Sequence, residues 1–202
     1  MRSLNYWSLI VLLCMTMACS SSGKIQSWMR DVSIIPRSEW KANAPIPYLR
    51  HEPVRITVHH EGTKLLVTDD AMRKIKAIQT WGMGKDRNWA DVPYHFFIAP
   101  DGKIYEGRDV YTVGETNTEY DPKGHLLISC LGNLNEVEVP EAQLTSLIKM
   151  IAWCSKTYKI PYETLATHRD YSKQTTCPGK YLYNYFENGY IKQEVKKLLE
   201  QK

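Results

Sequence analysis

Arg55-Ile56-Thr57-Val58-His59-His60, entered through Pro53, decides the class of fold. Its β-branched residues favour a pleated backbone, so it reads as a strand, and that strand ends on two histidines. Further along, Thr68-Asp69-Asp70 offers capping groups, and Met72, Ile75 and Ile78 recur on one face at helical spacing until Gly82 and Gly84 stop the pattern. Tyr94-His95-Phe96-Phe97-Ile98 reads as a second strand, Pro100-Asp101-Gly102 as a tight turn and Lys103-Ile104-Tyr105-Glu106-Gly107 as a third strand, together a hairpin. The run from Leu126 to Leu131, apolar at every position but Ser129, predicts an interior strand buried on both faces. Pro140-Glu141 opens the clearest helix, with Leu144, Leu147, Ile148, Ile151 and Ala152 as its buried stripe. Leu165-Ala166-Thr167 then leads to His168, Cys177-Pro178-Gly179 follows a polar loop, and a last helix spans about Lys192 to Leu199 with Val195, Leu198 and Leu199 facing inward. Strands alternating with helices predict an α/β class, one sheet covered by helices, in a single domain.

Composition narrows the function. Hydrophobic residues at 43% and charged residues at 24% of 202, with 11 Gly and 10 Pro, exclude a disordered, collagen-like or polytopic membrane chain. The net charge of +4 comes from 26 basic and 22 acidic residues without a Lys/Arg block, so nucleic acid is not an expected partner. Thirteen Tyr and six Trp against three Phe favour partly wet aromatic faces, which suit a sugar- or peptide-binding cleft and equally suit half-buried packing.

The amino terminus reads as a targeting segment. Arg2, the apolar run Leu9 to Met15 and then Ala18-Cys19 give the layout of a secretion signal, and the run is too short to span a bilayer. Ala18-Cys19 before Ser20-Ser21-Ser22-Gly23 resembles a bacterial lipoprotein processing site, with Thr16 where Leu is usual; the alternative is plain cleavage. The expected division is a signal peptide over residues 1–18, a tether over residues 19–30 lipidated at Cys19, and one folded domain over residues 31–202. That places a monomer in the bacterial cell envelope, held to the membrane through its lipid, with Ser20 favouring the outer membrane and the periplasmic face. Cys130, Cys154 and Cys177 then need an account in an oxidising compartment: either one pair bridges and one thiol does something else, or none bridges.

His59 at a strand end, His168 after a strand-like segment and Cys177 in the loop beyond are three soft-metal ligand types outside the element interiors. Catalytic zinc is held by three such ligands with a fourth position left for water, which suits hydrolysis; solitary histidines with a structural role are the competing account.

The blocks Ile34-Ile35-Pro36-Arg37-Ser38-Glu39-Trp40, Thr57-Val58-His59-His60, Trp89-Ala90-Asp91-Val92-Pro93-Tyr94-His95-Phe96, Asp101-Gly102-Lys103-Ile104-Tyr105-Glu106-Gly107-Arg108 and Thr167-His168-Arg169-Asp170 with Cys177-Pro178-Gly179 occur in an order that resembles the type 2 N-acetylmuramoyl-L-alanine amidase and peptidoglycan recognition protein superfamily. The resemblance implies a central mixed β-sheet flanked by helices around a zinc cleft, and hydrolysis of the amide between N-acetylmuramic acid and the L-alanine of the stem peptide, in peptidoglycan or a muropeptide. It also implies Zn2+ on His59, His168 and Cys177. His60, the neighbour on the strand, is expected to face the other way because alternate side chains do. Tyr94 matches the family tyrosine near the metal, and Thr175 the residue that helps stabilise the tetrahedral intermediate.

The chain also departs from the pattern. Val113-Gly114-Glu115-Thr116 stands where many members have Val-Gly-Ala-His, and Asp109-Val110 where recognition proteins often have Gly-Trp. Arg108, Arg87 and Lys85 are candidates for pairing with peptide carboxylates, or for ordinary solvation. Two other readings compete: a non-catalytic peptidoglycan-binding module, whose members characteristically lack the Cys ligand that Cys177 preserves, and a Cys-His thiol hydrolase, which leaves one histidine idle.

Overall fold

The computed structural model describes residues 26–201, in which one six-stranded sheet carries helices on both faces. The strands are β1 (Ile34–Ile35), β2 (Arg55–His60), β3 (Phe96–Ile98), β4 (Ile104–Glu106), β5 (His125–Cys130) and β6 (Ala166–Thr167), in the order β1-β4-β3-β5-β2-β6. β3 and β4 form the antiparallel hairpin, and the other neighbours run parallel, so the sheet is mixed. The helices are α1 (Ser27–Arg30), α2 (Ala71–Gly82), α3 (Glu141–Thr157), α4 (His168–Tyr171), α5 (Lys180–Glu187) and α6 (Tyr190–Glu200).

Strand alternation sorts the core into two layers. Ile56, Val58, Leu126 and Ile128 point to one face and pack with Leu147, Ile151, Leu182 and Val195 from the carboxyl-terminal helices. Phe97, Tyr105 and Leu131 join Ile75 and Ile78 of α2 on the other. Each fully buried Leu or Ile stabilises the fold by about 1.5–3 kcal/mol relative to exposure. β5, buried at all six positions between β3 and β2, is the interior strand that its apolar run predicts.

Some boundaries differ from the sequence reading. Met72 is exposed: the buried stripe of α2 is Ala71, Ile75, Ile78 and Gly82, and Met72 lies one residue, about 100°, around the helix from Ala71. Trp28 of α1 is buried in the larger core, so this short helix packs against the sheet's covering helices. The expected signal segment, residues 1–18, and the expected lipidation site Cys19 lie outside the described residues. All three cysteines within the described residues are free thiols, and Cys130 and Cys154 are buried in the larger core.

Candidate metal centre

Parallel pairing brings two imidazoles to one edge of the sheet. Register places Val58 beside Thr167, so the next residues, His59 and His168, emerge together at the carboxyl ends of β2 and β6, with ring centroids 4.6 Å apart. Such carboxyl edges are where open α/β sheets gather ligands. Where β6 becomes α4 the turn is fixed by Asp170, whose carboxylate accepts from the Thr167 N–H at 2.7 Å and hydroxyl at 2.8 Å.

The third donor arrives from a loop folded back on the same edge. Cys177 Sγ accepts the His60 N–H at 3.2 Å and lies 3.6 Å from His59 Nδ1. Arg169 N–H donates to the Cys177 carbonyl at 2.9 Å, and Cys177 N–H donates to Thr175 Oγ1 at 3.0 Å. Beyond it Gly179 holds φ at +88°, and a Cβ there would stand 2.5 Å from the Leu134 carbonyl carbon, so only glycine seats the loop.

The donor atoms of His59, His168 and Cys177 lie within 4.8 Å of one another, and all three residues are buried. A tetrahedral ion with nitrogen at about 2.0–2.1 Å and sulfur at about 2.3 Å separates its N and S ligands by about 3.5 Å, which the His59–Cys177 pair matches. The residues present therefore fit a zinc-type cation. His60 is turned away by the strand's alternation and accepts the Leu134 N–H at Nδ1, 3.1 Å.

Electrostatics points the same way. Burial holds His59 well below its ordinary value, with His168 nearby adding to the effect, and burial lowers His168 to about 4. Both imidazoles are neutral at physiological pH, the form that binds metals. Burial pushes the Cys177 thiol up to about 12. A nucleophilic cysteine needs a shift in the opposite direction, whereas a coordinated cation displaces the thiol proton outright.

Tyr94 packs its ring 5.0 Å from that of His59, and burial, then the Cys177 sulfur, hold its phenol well above the usual range, so it remains a donor. Thr175 lines the same cleft, about 210 Å³ in volume. A groove of about 410 Å³ adjoins it, sharing Glu61, Trp89 and Tyr94 and walled by Lys74, Ile78 and Trp81.

Two neighbours escape sequence reasoning. Thr118 Oγ1 lies 2.7 Å from His168 Nε2, and the Tyr120 hydroxyl 3.3 Å from His59 Nε2. Nothing in their spacing marks them; the one signal is that they follow the stretch where Val-Gly-Ala-His is missing. Arg108 is not available to a peptide carboxylate. It is buried, donating to the Val92 and Val113 carbonyls and pairing with Glu115, whose carboxylate also accepts the Ala90 N–H. Arg87 lies over the Trp81 ring and donates to Asn117, and Lys85 is exposed.

A mixed α/β sheet with a His, His, Cys cluster at its carboxyl edge defines a class of protein built around a metal-competent cleft. Residues 49–180 match the family model described as N-acetylmuramoyl-L-alanine amidase, and the chain belongs to that family, within the superfamily that includes the peptidoglycan recognition proteins. It is 30% identical over 161 residues to peptidoglycan-recognition protein SC2 of Drosophila simulans, covering 76% of this chain and 84% of that one. It is 31% identical to peptidoglycan recognition protein 1 of Bos indicus, covering 75% and 80%. Among solved structures it superposes on peptidoglycan recognition protein-LE in complex with tracheal cytotoxin, a monomeric diaminopimelic acid-type peptidoglycan, with a TM-score of 0.68 at 30% identity, covering 77% of this chain and 92% of that one. The N-acetylmuramoyl-L-alanine amidase LysC from Clostridium intestinale URNW superposes with a TM-score of 0.61 at 27% identity, covering 81% and 97%.

Proposed function

We propose that this chain is a zinc-dependent amidase that hydrolyses the bond between N-acetylmuramic acid and the L-alanine of the stem peptide, in peptidoglycan or its fragments. The observation that carries the reading is the approach of the His59, His168 and Cys177 donor atoms to within 4.8 Å, beside Tyr94, in the lining of a cleft. When bound, zinc supplies Lewis-acid chemistry, acidifying water and polarising the scissile carbonyl.

The chain's own residues supply the rest. His59, His168 and Cys177 would hold the ion. Tyr94, kept protonated, donates to charge developing on the carbonyl oxygen, and the Thr175 hydroxyl is a second, neutral donor at the same cleft. Trp89 and Trp81, wall residues of the adjoining groove, offer apolar faces to sugar or peptide and keep bulk water off the amide.

The test is mass analysis of muropeptides digested by wild type and by Cys177→Ala, alongside zinc content. Wild type is expected to carry zinc and release stem peptide. The substitution is expected to abolish both while circular dichroism stays native, because the ligand lies in a loop. Several relatives are named as recognition proteins, and binding of muropeptide by zinc-loaded wild type without any cleavage would establish the binding-module reading instead.

We also propose that residues 1–18 direct export and that lipidated Cys19 anchors the protein in the bacterial cell envelope, facing the periplasm from the outer membrane. Cys19→Ala is expected to move the protein from the membrane fraction to the soluble fraction. Equal partitioning of both forms would rule out the anchor.

A further inference from the structure

Metal-binding imidazoles are aimed by what holds their other nitrogen. A ligating histidine almost always donates its second ring N–H to an oxygen, which fixes both the tautomer and the ring rotation. His59 and His168 each meet a hydroxyl oxygen at Nε2, and both hydroxyls come from the short stretch between Thr116 and Tyr120.

We infer that Thr118 and Tyr120 are positioning residues of the metal centre, holding the Nε2 edges of His168 and His59 so that both rings turn Nδ1 toward the Cys177 sulfur. The inference rests on the zinc reading above and names the residues that prepare the site for the ion. For His59 the consequence is visible: with Nε2 at 3.3 Å from the Tyr120 hydroxyl, Nδ1 stands 3.6 Å from Cys177 Sγ. For His168, the 2.7 Å contact with Thr118 Oγ1 occupies Nε2 and leaves Nδ1 as the nitrogen able to join the others.

Both holders are themselves held. Thr116 Oγ1 lies 2.9 Å from Thr118 Oγ1 and accepts the Thr118 N–H at 3.2 Å. Tyr120 is buried, with its ring 5.9 Å from Tyr171 and 4.9 Å from the His168 ring, so it reaches both ligands from one rigid position. Between them Glu119 accepts from the Ser172 hydroxyl at 2.7 Å and the Lys173 N–H at 3.2 Å, tying the stretch to the residues just past the carboxyl end of α4, the one-turn helix that His168 opens. The segment following Gly114 thus acts on the ligands.

The experiment measures zinc affinity by competition with a chromophoric chelator for wild type, Thr118→Val, Tyr120→Phe and Thr118→Ser. It adds the absorption spectrum of each cobalt-loaded form and near-ultraviolet circular dichroism of each metal-free form. Thr118→Val and Tyr120→Phe are expected to weaken zinc binding by about 10–100-fold each and to alter the cobalt ligand-field bands, while Thr118→Ser, which restores the oxygen, regains most of the affinity. Wild-type zinc affinity in both Thr118→Val and Tyr120→Phe would overturn the inference while leaving the zinc reading intact. Weakened binding that Thr118→Ser does not rescue, together with a lost dichroism signal, would assign the stretch to general stability and overturn it as well. Wild type that binds no zinc would remove the zinc reading and this inference together.

Discussion

Tyr94 illustrates how one side chain acquires a role from its surroundings. Burial and the neighbouring sulfur raise its phenol well above the usual range, so at neutral pH it is a donor that cannot become a competing anion. An interaction aimed at charge that develops during reaction stabilises the transition state more than the bound substrate. Tyr94→Phe is therefore expected to lower kcat by about 100-fold with KM and zinc content nearly unchanged, as steady-state kinetics on a muropeptide would read. A change confined to KM would assign Tyr94 to substrate binding alone. At this scale the sequence was informative where residue type and family resemblance coincided: His59 and His168 at element ends and Cys177 in a loop, whose donor atoms the fold brings within 4.8 Å of one another. It was silent on Thr118 and Tyr120, because a hydroxyl in a loop carries no periodicity to read. Arg108 misled for a related reason: an arginine beside a hairpin looks solvated until the fold wraps the Val92 and Val113 carbonyls and Glu115 around it.

At the scale of elements, the loop that delivers Cys177 depends on Gly179. Its φ of +88° lies where L side chains are strained, and its close approach to Leu134 leaves no room for a Cβ. Gly179→Ala is expected to cost about 1–3 kcal/mol from the backbone alone and to weaken zinc binding by displacing the sulfur, measurable by urea unfolding and chelator competition. Unchanged stability would mean that the loop has another seat. The regular elements were the most legible. β2, β5 and α3 announced themselves through β-branching, a largely apolar run and a 3.6-residue stripe; both strands lie within a residue of the expected span, and α3 opens at the expected Glu141. α5 was not foreseen because Tyr181, Tyr183 and Tyr185 alternate with a period of two, the signature of a strand, while Leu182 is the one position that buries fully. Tertiary packing against α6 overrides that local pattern. β1, two residues long, is too short for periodicity to register, whereas β6, equally short, falls within the strand-like Leu165-Ala166-Thr167.

At the scale of the whole molecule, all six histidines are buried, and three of them stand apart from the proposed ligands and from His60. His51 and His95 stack with ring centroids 5.9 Å apart, each accepting a backbone N–H at Nδ1, from Gly124 and Leu127, with Nε2 on a carbonyl, Val110 or Thr112. Burial lowers His51, takes His95 to about 3 and His125 to about 4, from an ordinary 6.5. Below 6.5 the unfolded chain takes up protons that the folded chain refuses, so stability is whole above that value and declines as pH falls toward the folded values. The decline is up to about 1.4 kcal/mol per pH unit for each group. Urea midpoints for the metal-free protein are expected to fall steadily between pH 7 and about pH 4, and His95→Gln to flatten the slope even if it lowers the midpoint. A midpoint independent of pH over that window would contradict the account. The same sheet carries a temporal consequence. His59 and Cys177 stand 118 residues apart, and His168 reaches His59 only through the pairing of β6 with β2. A chain still leaving the ribosome has the three side chains but no pocket for an ion, so stoichiometric metal uptake, if the proposed site binds zinc, would serve as a timestamp for the finished sheet.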